Sequence, residues 1–436
     1  MSETWSVEEH LDDILSSVRP LEPIELQLLD AQGCVLVEDV SVPTSLPPFD
    51  NSSMDGYAVR TADVEGASEE FPAVLTVIGD VAAGSGDLPV VGRGQAARIM
   101  TGAAMPPGAE AVVPVEWTDG GLGGGPVESM LPGARSAGAA GVDGEVRVHR
   151  PVTTAQHVRP RGSDVRAGAL ALSAGTVLGP PQIGLLAAIG RARVKVRPRP
   201  RVVVVSTGSE LIQPGEQLGS GQIYDSNSFV LTSAARDAGA IAYRVGSVTD
   251  DADTLRAAIE DQLIRADIIV TSGGVSVGAY DVVKEVLSQI DEGSGNVEFR
   301  RLAMQPGKPQ GFGLIGPDRT PVVALPGNPV SSYVSFELFV RPAVRALMGR
   351  ASVRRETARA RVDVEEALTS PGGKRQFLRG SYLPPAAGEA LGTVRPVGGA
   401  GSHLIAALAQ ANVLIDVPEK TTRLTPGEEV TVVLLD

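Results

Sequence analysis

Cysteine is nearly missing, with Cys34 alone in 436 residues. No intrachain disulfide can form and no multi-cysteine metal or iron–sulfur site can be built, which fits a reducing compartment. Cys34 reads as a small buried apolar residue. Histidine is scarce too: His10, His149, His157 and His403 contain no pair at zinc-ligand spacing, so carboxylates must hold any metal. Basic residues are outnumbered, 38 Lys and Arg against 52 Asp and Glu, for a net charge of -14. That balance excludes the broad basic face with which a protein grips nucleic acid or an anionic membrane, although it leaves room for a local basic pocket. No apolar run approaches the roughly 18 residues of a membrane span. The start, MSETWSVEEHLDDIL, shows no positive leader followed by an apolar stretch, so a cytoplasmic protein is expected.

What is present is a soluble composition, 43% hydrophobic and 21% charged, in a chain long enough for about three domains. Ser6 with Glu9 three positions on, and Val7, Leu11, Ile14, Leu15 and Val18 at helical spacing, predict an amphipathic helix that Pro20 ends. From Ile24 to Val148 short alternating runs such as AVLTVIGDV and AARIMTG predict a β-rich unit. Within it, DGGLGGGPVESMLPGARSAGAAGVDG reads as a mobile hairpin or surface insertion. RARVKVRPRPR marks a boundary, expected to be an exposed strand plus hinge rather than a nucleic-acid tail. Beyond it apolar strands alternate with amphipathic helices, among them a helix capped near Ser226 and stopped at Gly239 and a long one over VSSYVSFELFVRPAVRALMG. The pattern is that of a parallel sheet covered on both faces, with ligands at the carboxyl ends of its strands. From Glu356 short strands return, predicting a small β-barrel or sandwich.

Several loops carry chemistry. TSGGVSVGAYD lies between a strand and a helix, where glycines let backbone amides approach a phosphate. It is not a Walker A loop, since Ala279 and Tyr280 follow Gly278 where Lys and Ser or Thr are required. The same residues also make a tight turn, so neighbouring motifs decide. STGSEL delivers Glu210, GQIYDSNS delivers Asp225 and the glycine loop delivers Asp281, all near strand ends. Such oxygen ligands suit Mg²⁺ bridged to phosphate; alternatively Asp225 caps a helix and Glu210 is solvated. QPGKP mounts Lys308 stiffly as a point charge for an oxyanion, and LPGNPVSS offers turn amides ahead of Ser331 and Ser332. Upstream, PPFDNSSMDGYAVR concentrates Asp50, Asn51, Met54, Asp55 and Gly56 in one loop, IMTGAAMPPG places Thr101 and Gly102 after a strand, and RPRGSDVRAG holds Arg159, Arg161, Asp164 and Arg166.

Together and in this order, NSSMDGYAVR, IMTGAAMPPGAEAVVPVE, RPRGSDVRAG, STGSEL, GQIYDSNS, SGGVSVGAYD, QPGKP and LPGNPVSS closely resemble the molybdopterin molybdenumtransferase family, which includes bacterial enzymes and the E domain of gephyrin. Each motif is weak alone, but eight in register are specific, and the match runs from the first helix to GSHLIAALAQANVLIDVP. The resemblance implies an α/β plus β multidomain fold: a central doubly wound α/β molybdopterin-binding subdomain with β-rich subdomains on either side. The expected division is 1–55 and 150–195 for subdomain I, 56–149 for II, 196–350 for III and 351–436 for IV. It also implies an enzyme that uses Mg²⁺ to cleave adenylylated molybdopterin, inserts molybdenum from molybdate into the dithiolene and releases AMP. The substrate's own sulfur ligands make the lone cysteine no objection.

A homodimer is implied, with each active site between the α/β subdomain of one chain and amino-terminal segments of the other. A molybdopterin adenylyltransferase and molybdoenzyme apoproteins are the implied partners; nucleic acid and membrane are not. Carried over by motif, Asp55, Thr101, Asp164, Asp225, Asp281 and Lys308 are catalytic, and Glu210, Asp225 and Asp281 hold the metal. Ser206, Thr207, Gly208, Ser272, Gly273, Gly274, Ser276, Gly278, Pro326, Gly327, Asn328, Pro329, Arg379 and Ser402 bind the molybdopterin substrate or molybdate. Two departures stand out: Gln305 replaces a lysine that many relatives carry, and GAYD replaces the more usual GEAD. A scaffold that binds other proteins and a pterin-binding or adenylylating relative are the competing readings.

Overall fold

Ser6 and Glu9 close a capping box at the start of helix α1 (Val7–Ser17): the Ser6 hydroxyl accepts from Glu9 N at 3.1 Å and the Glu9 carboxylate from Ser6 N at 2.7 Å. Its stripe of Val7, Leu11 and Ile14 is buried in the main apolar core. The computed structural model describes residues 4–129, 144–249, 251–274, 282–289 and 297–435. The chain forms two compact units, one of Met1–Val37, Gly175–Gly179 and Arg193–Asp436, the other of Glu38–Ala174 and Pro180–Ala192.

The first unit contains the α/β layer. Its strands are β1 (Arg201–Thr207), β2 (Ile241–Val248), β3 (Ile268–Ser272), β4 (Glu298–Leu302), β5 (Pro309–Ile315) and β6 (Thr320–Leu325), ordered β4-β5-β6-β3-β1-β2 with Thr4–Trp5 beside β4. Four consecutive valines of β1 are fully buried because both faces are covered. Val202 and Val204 pack with α1 and with Leu231 and Ala235 of α2 (Asn227–Asp237). Val203 and Val205 face α3 (Ala252–Leu263) and α4 (Val282–Gln289) through Leu255, Ile259, Val283 and Val286. Each valine so buried contributes about 1.5 to 3 kcal/mol relative to exposure.

Strands β6, β3, β1 and β2 are parallel, as expected, but β5 runs antiparallel to both β4 and β6. The sheet is therefore mixed. Residues 316–319 between β5 and β6 are too few for a crossover and allow only a hairpin. After β6 come α5 (Pro329–Ser335), a π-helical turn Phe336–Val340 and α6 (Arg341–Leu347).

The carboxyl-terminal strands β7 (Thr357–Val362), β8 (Arg375–Leu383), β9 (Gly392–Pro396), β10 (Val413–Val417) and β11 (Glu429–Leu434) pair as β8-β9-β7-β11-β10, and β10 pairs again with β8. The ring closes into a small barrel filled by Ala360, Val362, Val394, Ile415 and Val432. In the second unit a five-stranded sheet runs Glu145–Val148, Ala73–Val81, Gln95–Ile99, Gly56–Val59, Ala111–Pro114.

The strand Arg193–Arg197 is not the exposed strand and hinge expected of RARVKVRPRPR. It is the centre of a three-stranded sheet between Ile24–Gln27 and Val35–Leu36, with Val194 and Val196 buried. Of the glycine-rich insertion, Gly121 and Gly123 donate their amides to the buried Asp119 carboxylate, and residues 130–143 lie outside the described ones. Among the described residues no helix is long and apolar enough to cross a membrane.

Candidate functional site

Parallel strands β1, β3 and β6 end on one rim of the sheet, and the segments that follow them border a cavity of about 810 Å³. Thr207 and Gly208 line it at the end of β1, Ser272, Gly273 and Gly274 at the end of β3, and Pro326, Gly327, Asn328 and Pro329 after β6. The loops touch closely. Gly273 has φ +101°, and a Cβ there would fall 2.6 Å from the Thr207 carbonyl oxygen, so a side chain would force the first two loops apart. Asn227 ties the rim together: its Nδ2 donates to Ser272 Oγ at 2.9 Å and to the Gly327 carbonyl at 2.7 Å. Ser332 adds a second brace, with its Oγ 3.0 Å from Ser272 Oγ and donating to the Pro326 carbonyl. At the start of α5, Val330 N donates to the Ser402 carbonyl at 3.0 Å, which brings the GSH segment to the same rim.

Among the described residues two acids line this cavity, Glu210 and Asp225. Asp225 is fully buried and accepts from Ser228 N at 3.0 Å and from Ser228 Oγ at 2.5 Å. It, and not Ser226, supplies the side-chain cap of α2. The alternative role for Asp225, helix cap, is therefore real, and it coexists with a place on the cavity wall. Glu210 is exposed, and its carboxylate folds back over Gly208, where a Cβ would lie 2.7 Å from Oε2.

Among the described residues no three His, Cys, Asp or Glu side chains are grouped to hold a metal. Mg²⁺, however, usually keeps several waters and binds through one or two carboxylates plus substrate phosphates, and an ionised carboxylate has about four lone-pair positions. Glu210 and Asp225 beside glycine-rich loops fit that donor set. Asp281, Ser276 and Gly278 lie outside the described residues.

The remaining candidates are dispersed. Ser206 is buried on β1 behind the rim, with no partner for its Oγ among the described residues. Lys308 is exposed on the turn before β5, next to Pro309, which lines the cavity. Arg379 is buried on β8, where one guanidinium nitrogen donates to the Gly399 carbonyl and Nε has no partner among the described residues. Burial pushes its pKa below the ordinary arginine value, as for a cation held short of counter-charge. In the second unit the structure joins Asp55 to Thr101, whose N and Oγ1 donate to Asp55 Oδ1 at 2.6 Å and 2.8 Å. Asp164 is exposed there, with its amide on the Leu46 carbonyl at 3.0 Å. Sequence reasoning passed over His403 and Asn227, both of which line the cavity. Their signals were present in GSH and DSN, motifs in which Ser402 and Asp225 drew the attention.

Residues 5–190 match the MoeA N-terminal region (domain I and II), residues 203–346 a probable molybdopterin binding domain, and residues 354–435 the MoeA C-terminal region (domain IV). A molybdopterin molybdenumtransferase 2 of Mycobacterium tuberculosis is 44% identical over 429 residues, spanning 98% of each chain. The molybdopterin molybdenumtransferase of Haemophilus influenzae is 33% identical over 416 residues, 95% of this chain and 94% of its own. The crystal structure of a molybdopterin biosynthesis MoeA protein from Pyrococcus horikosii superposes with a TM-score of 0.73 at 32% identity, covering 100% of both chains. With likeness of this degree along nearly its whole length, the chain belongs to the molybdopterin molybdenumtransferase family of enzymes.

Proposed function

We propose that the protein inserts molybdenum from molybdate into adenylylated molybdopterin, with Mg²⁺-dependent cleavage of the phosphoanhydride by water and release of AMP. The observation that carries the reading is the cavity in which Glu210 and Asp225 stand beside the three glycine-bearing loops that follow β1, β3 and β6. In this reading Glu210, Asp225 and Asp281 hold Mg²⁺, which neutralises charge on the phosphates during cleavage. Gly208 and Gly273, whose own amides are given to the Val248 and Leu325 carbonyls at 3.2 Å, let the backbone come close to the phosphates, and the amides of Gly274, Gly327 and Asn328 receive them, with Pro326 and Pro329 stiffening the last turn. Lys308, Arg379 and Ser402 receive molybdate; the spare Nε of the buried Arg379 supports its part. Asp55, Thr101 and Asp164 act from a second copy of the chain. An adenylyltransferase supplies the substrate, and apoenzymes accept the product.

The test is incubation with adenylylated molybdopterin, Mg²⁺ and molybdate, following AMP and active cofactor. Asp225→Asn keeps a capping acceptor on α2 while removing the charge, so it separates metal holding from helix capping. It and Glu210→Gln are each expected to slow AMP release by roughly a hundredfold, the size seen when one electrostatic contact to the developing charge is lost. Wild-type AMP release in both variants would remove these acids from the reaction.

A further inference from the structure

The MQPGKPQ stretch makes a turn between two sheets. Met304–Gln305 runs parallel to the start of β8, with Met304 opposite Arg375, while Pro309 opens β5; Gly307 and Lys308 lie between. Lys308 is the one cation of the stretch and its side chain is exposed, so its position depends on the backbone beneath it. That backbone is held at two points. The Lys308 carbonyl accepts from Leu302 N at 2.8 Å, and the Gly307 carbonyl accepts from Gln310 Nε2 at 2.7 Å. The same Nε2 reaches Ser335 Oγ at 2.6 Å, and both Gln310 and Ser335 are fully buried. Gly307, at φ +103°, rests directly on this pair, since a Cβ there would lie 2.8 Å from Ser335 Oγ and 3.3 Å from Gln310 Nε2.

The Oε1 of Gln310 is buried with no partner among the described residues. A carbonyl can only accept, so the amide nitrogen must face Gly307 and the oxygen is stranded. A methionine of similar size would remove the stranded Oε1 but leave the Gly307 carbonyl and Ser335 Oγ without this donor, one unpaired acceptor exchanged for another, so what glutamine adds is its donors to the turn. Ser335 ends α5, and the opposite end of that helix presents Asn328 and Pro329 to the cavity. One short helix thus spans from the cavity rim to the Gly307 turn.

We propose that Gln310 is a positioning residue for Lys308: with Ser335 it locks the turn to the end of α5 and so fixes where the ammonium stands. The inference rests on the reading of Lys308 as a receiver of molybdate. It is tested with Gln310→Met, Lys308→Ala and the double variant, titrating molybdate at saturating adenylylated molybdopterin and Mg²⁺, and with hydrogen exchange over residues 303–309. The expected result for Gln310→Met is an unfolding midpoint near wild type, faster exchange in that segment, and a KM for molybdate raised roughly tenfold, within the loss that a misplaced group produces. The double variant should be no worse than Lys308→Ala, because Gln310 acts only through Lys308. Ser335→Ala, which removes the other anchor with little change of volume, should move the same quantities if Gln310→Met does not fold. A wild-type KM in Gln310→Met and Ser335→Ala beside a raised one in Lys308→Ala overturns the inference alone, as do losses that add in the double variant. An unchanged KM in Lys308→Ala overturns the reading of Lys308, and the inference falls with it.

Discussion

His10 lies fully buried, edge-on to Phe339 at 4.8 Å and Phe312 at 6.5 Å between ring centroids, with no hydrogen-bond partner for either ring nitrogen among the described residues. Burial, reinforced by Arg300 and opposed by Asp13, pulls its pKa from 6.5 down to about 4. The folded chain therefore binds this proton less readily than the unfolded one. Its contribution to stability is fully present above about pH 6.5 and is lost as the pH falls through 4, a difference of roughly 3 kcal/mol across the window. His10→Phe should flatten the acid limb of stability between pH 6.5 and 4 in urea titrations, with less change at pH 7.5; an unaltered limb would place the acid sensitivity elsewhere. Cys34 illustrates what single residues tell in advance: it is 1% exposed, the small buried residue the sequence implied, and burial raises its thiol pKa. Asp225 illustrates the limit. Composition permits both cap and metal ligand, and a carboxylate with four lone-pair positions at a helix start on a cavity wall serves as one without ceasing to offer the other.

At the scale of elements, the stretch VSSYVSFELFVRPAVRALMG was legible as helix but not as three segments. Pro342 lacks the N–H that would bond the Leu338 carbonyl and its ring crowds that carbonyl, so the chain widens into the π-helical turn Phe336–Val340 before α6. The turn holds Glu337, whose side chain is 1% exposed and accepts from Arg341 Nε at 2.6 Å and Arg355 Nε at 2.8 Å. Arg355 also donates to Asp237 at the end of α2, at 2.9 Å. One buried acid thereby joins the helix to the connector that leads into the barrel. Arg341 also donates to Asp237, so Glu337→Leu leaves this guanidinium, 3% exposed, with Asp237 as its one remaining acid partner among the described residues, and should lower unfolding free energy by about 3 kcal/mol, measured by denaturant titration. A loss under 1 kcal/mol would mean that Asp237 alone satisfies both guanidinium groups. Strand direction was the other illegible feature. β5 and β6 are buried and apolar whichever way they run, because side-chain alternation carries no arrow; the four-residue turn Gly316–Arg319 was the one signal that they form a hairpin.

At the scale of the molecule, the glycine loops and acids of the cavity were readable because such residues are costly or unusual at strand ends unless backbone must approach a ligand. Whether segments from separate copies combine was not, since no local pattern encodes it; Asp55 and Thr101 bond to each other in one unit, while Glu210 and Asp225 line a cavity in the other. If each active site draws on both chains of a dimer, light scattering should give twice the mass of one chain, and defects in the two sets must complement. Consider Asp55→Asn and Glu210→Gln, each nearly inactive alone. Random re-pairing makes half the dimers mixed, and in a mixed dimer one site takes its α/β subdomain from the first variant and its amino-terminal segments from the second, both intact. The other site collects both defects. Re-paired mixtures should therefore regain about a quarter of wild-type AMP release, whereas a site built within one chain gains nothing, because every copy then carries a defect of its own.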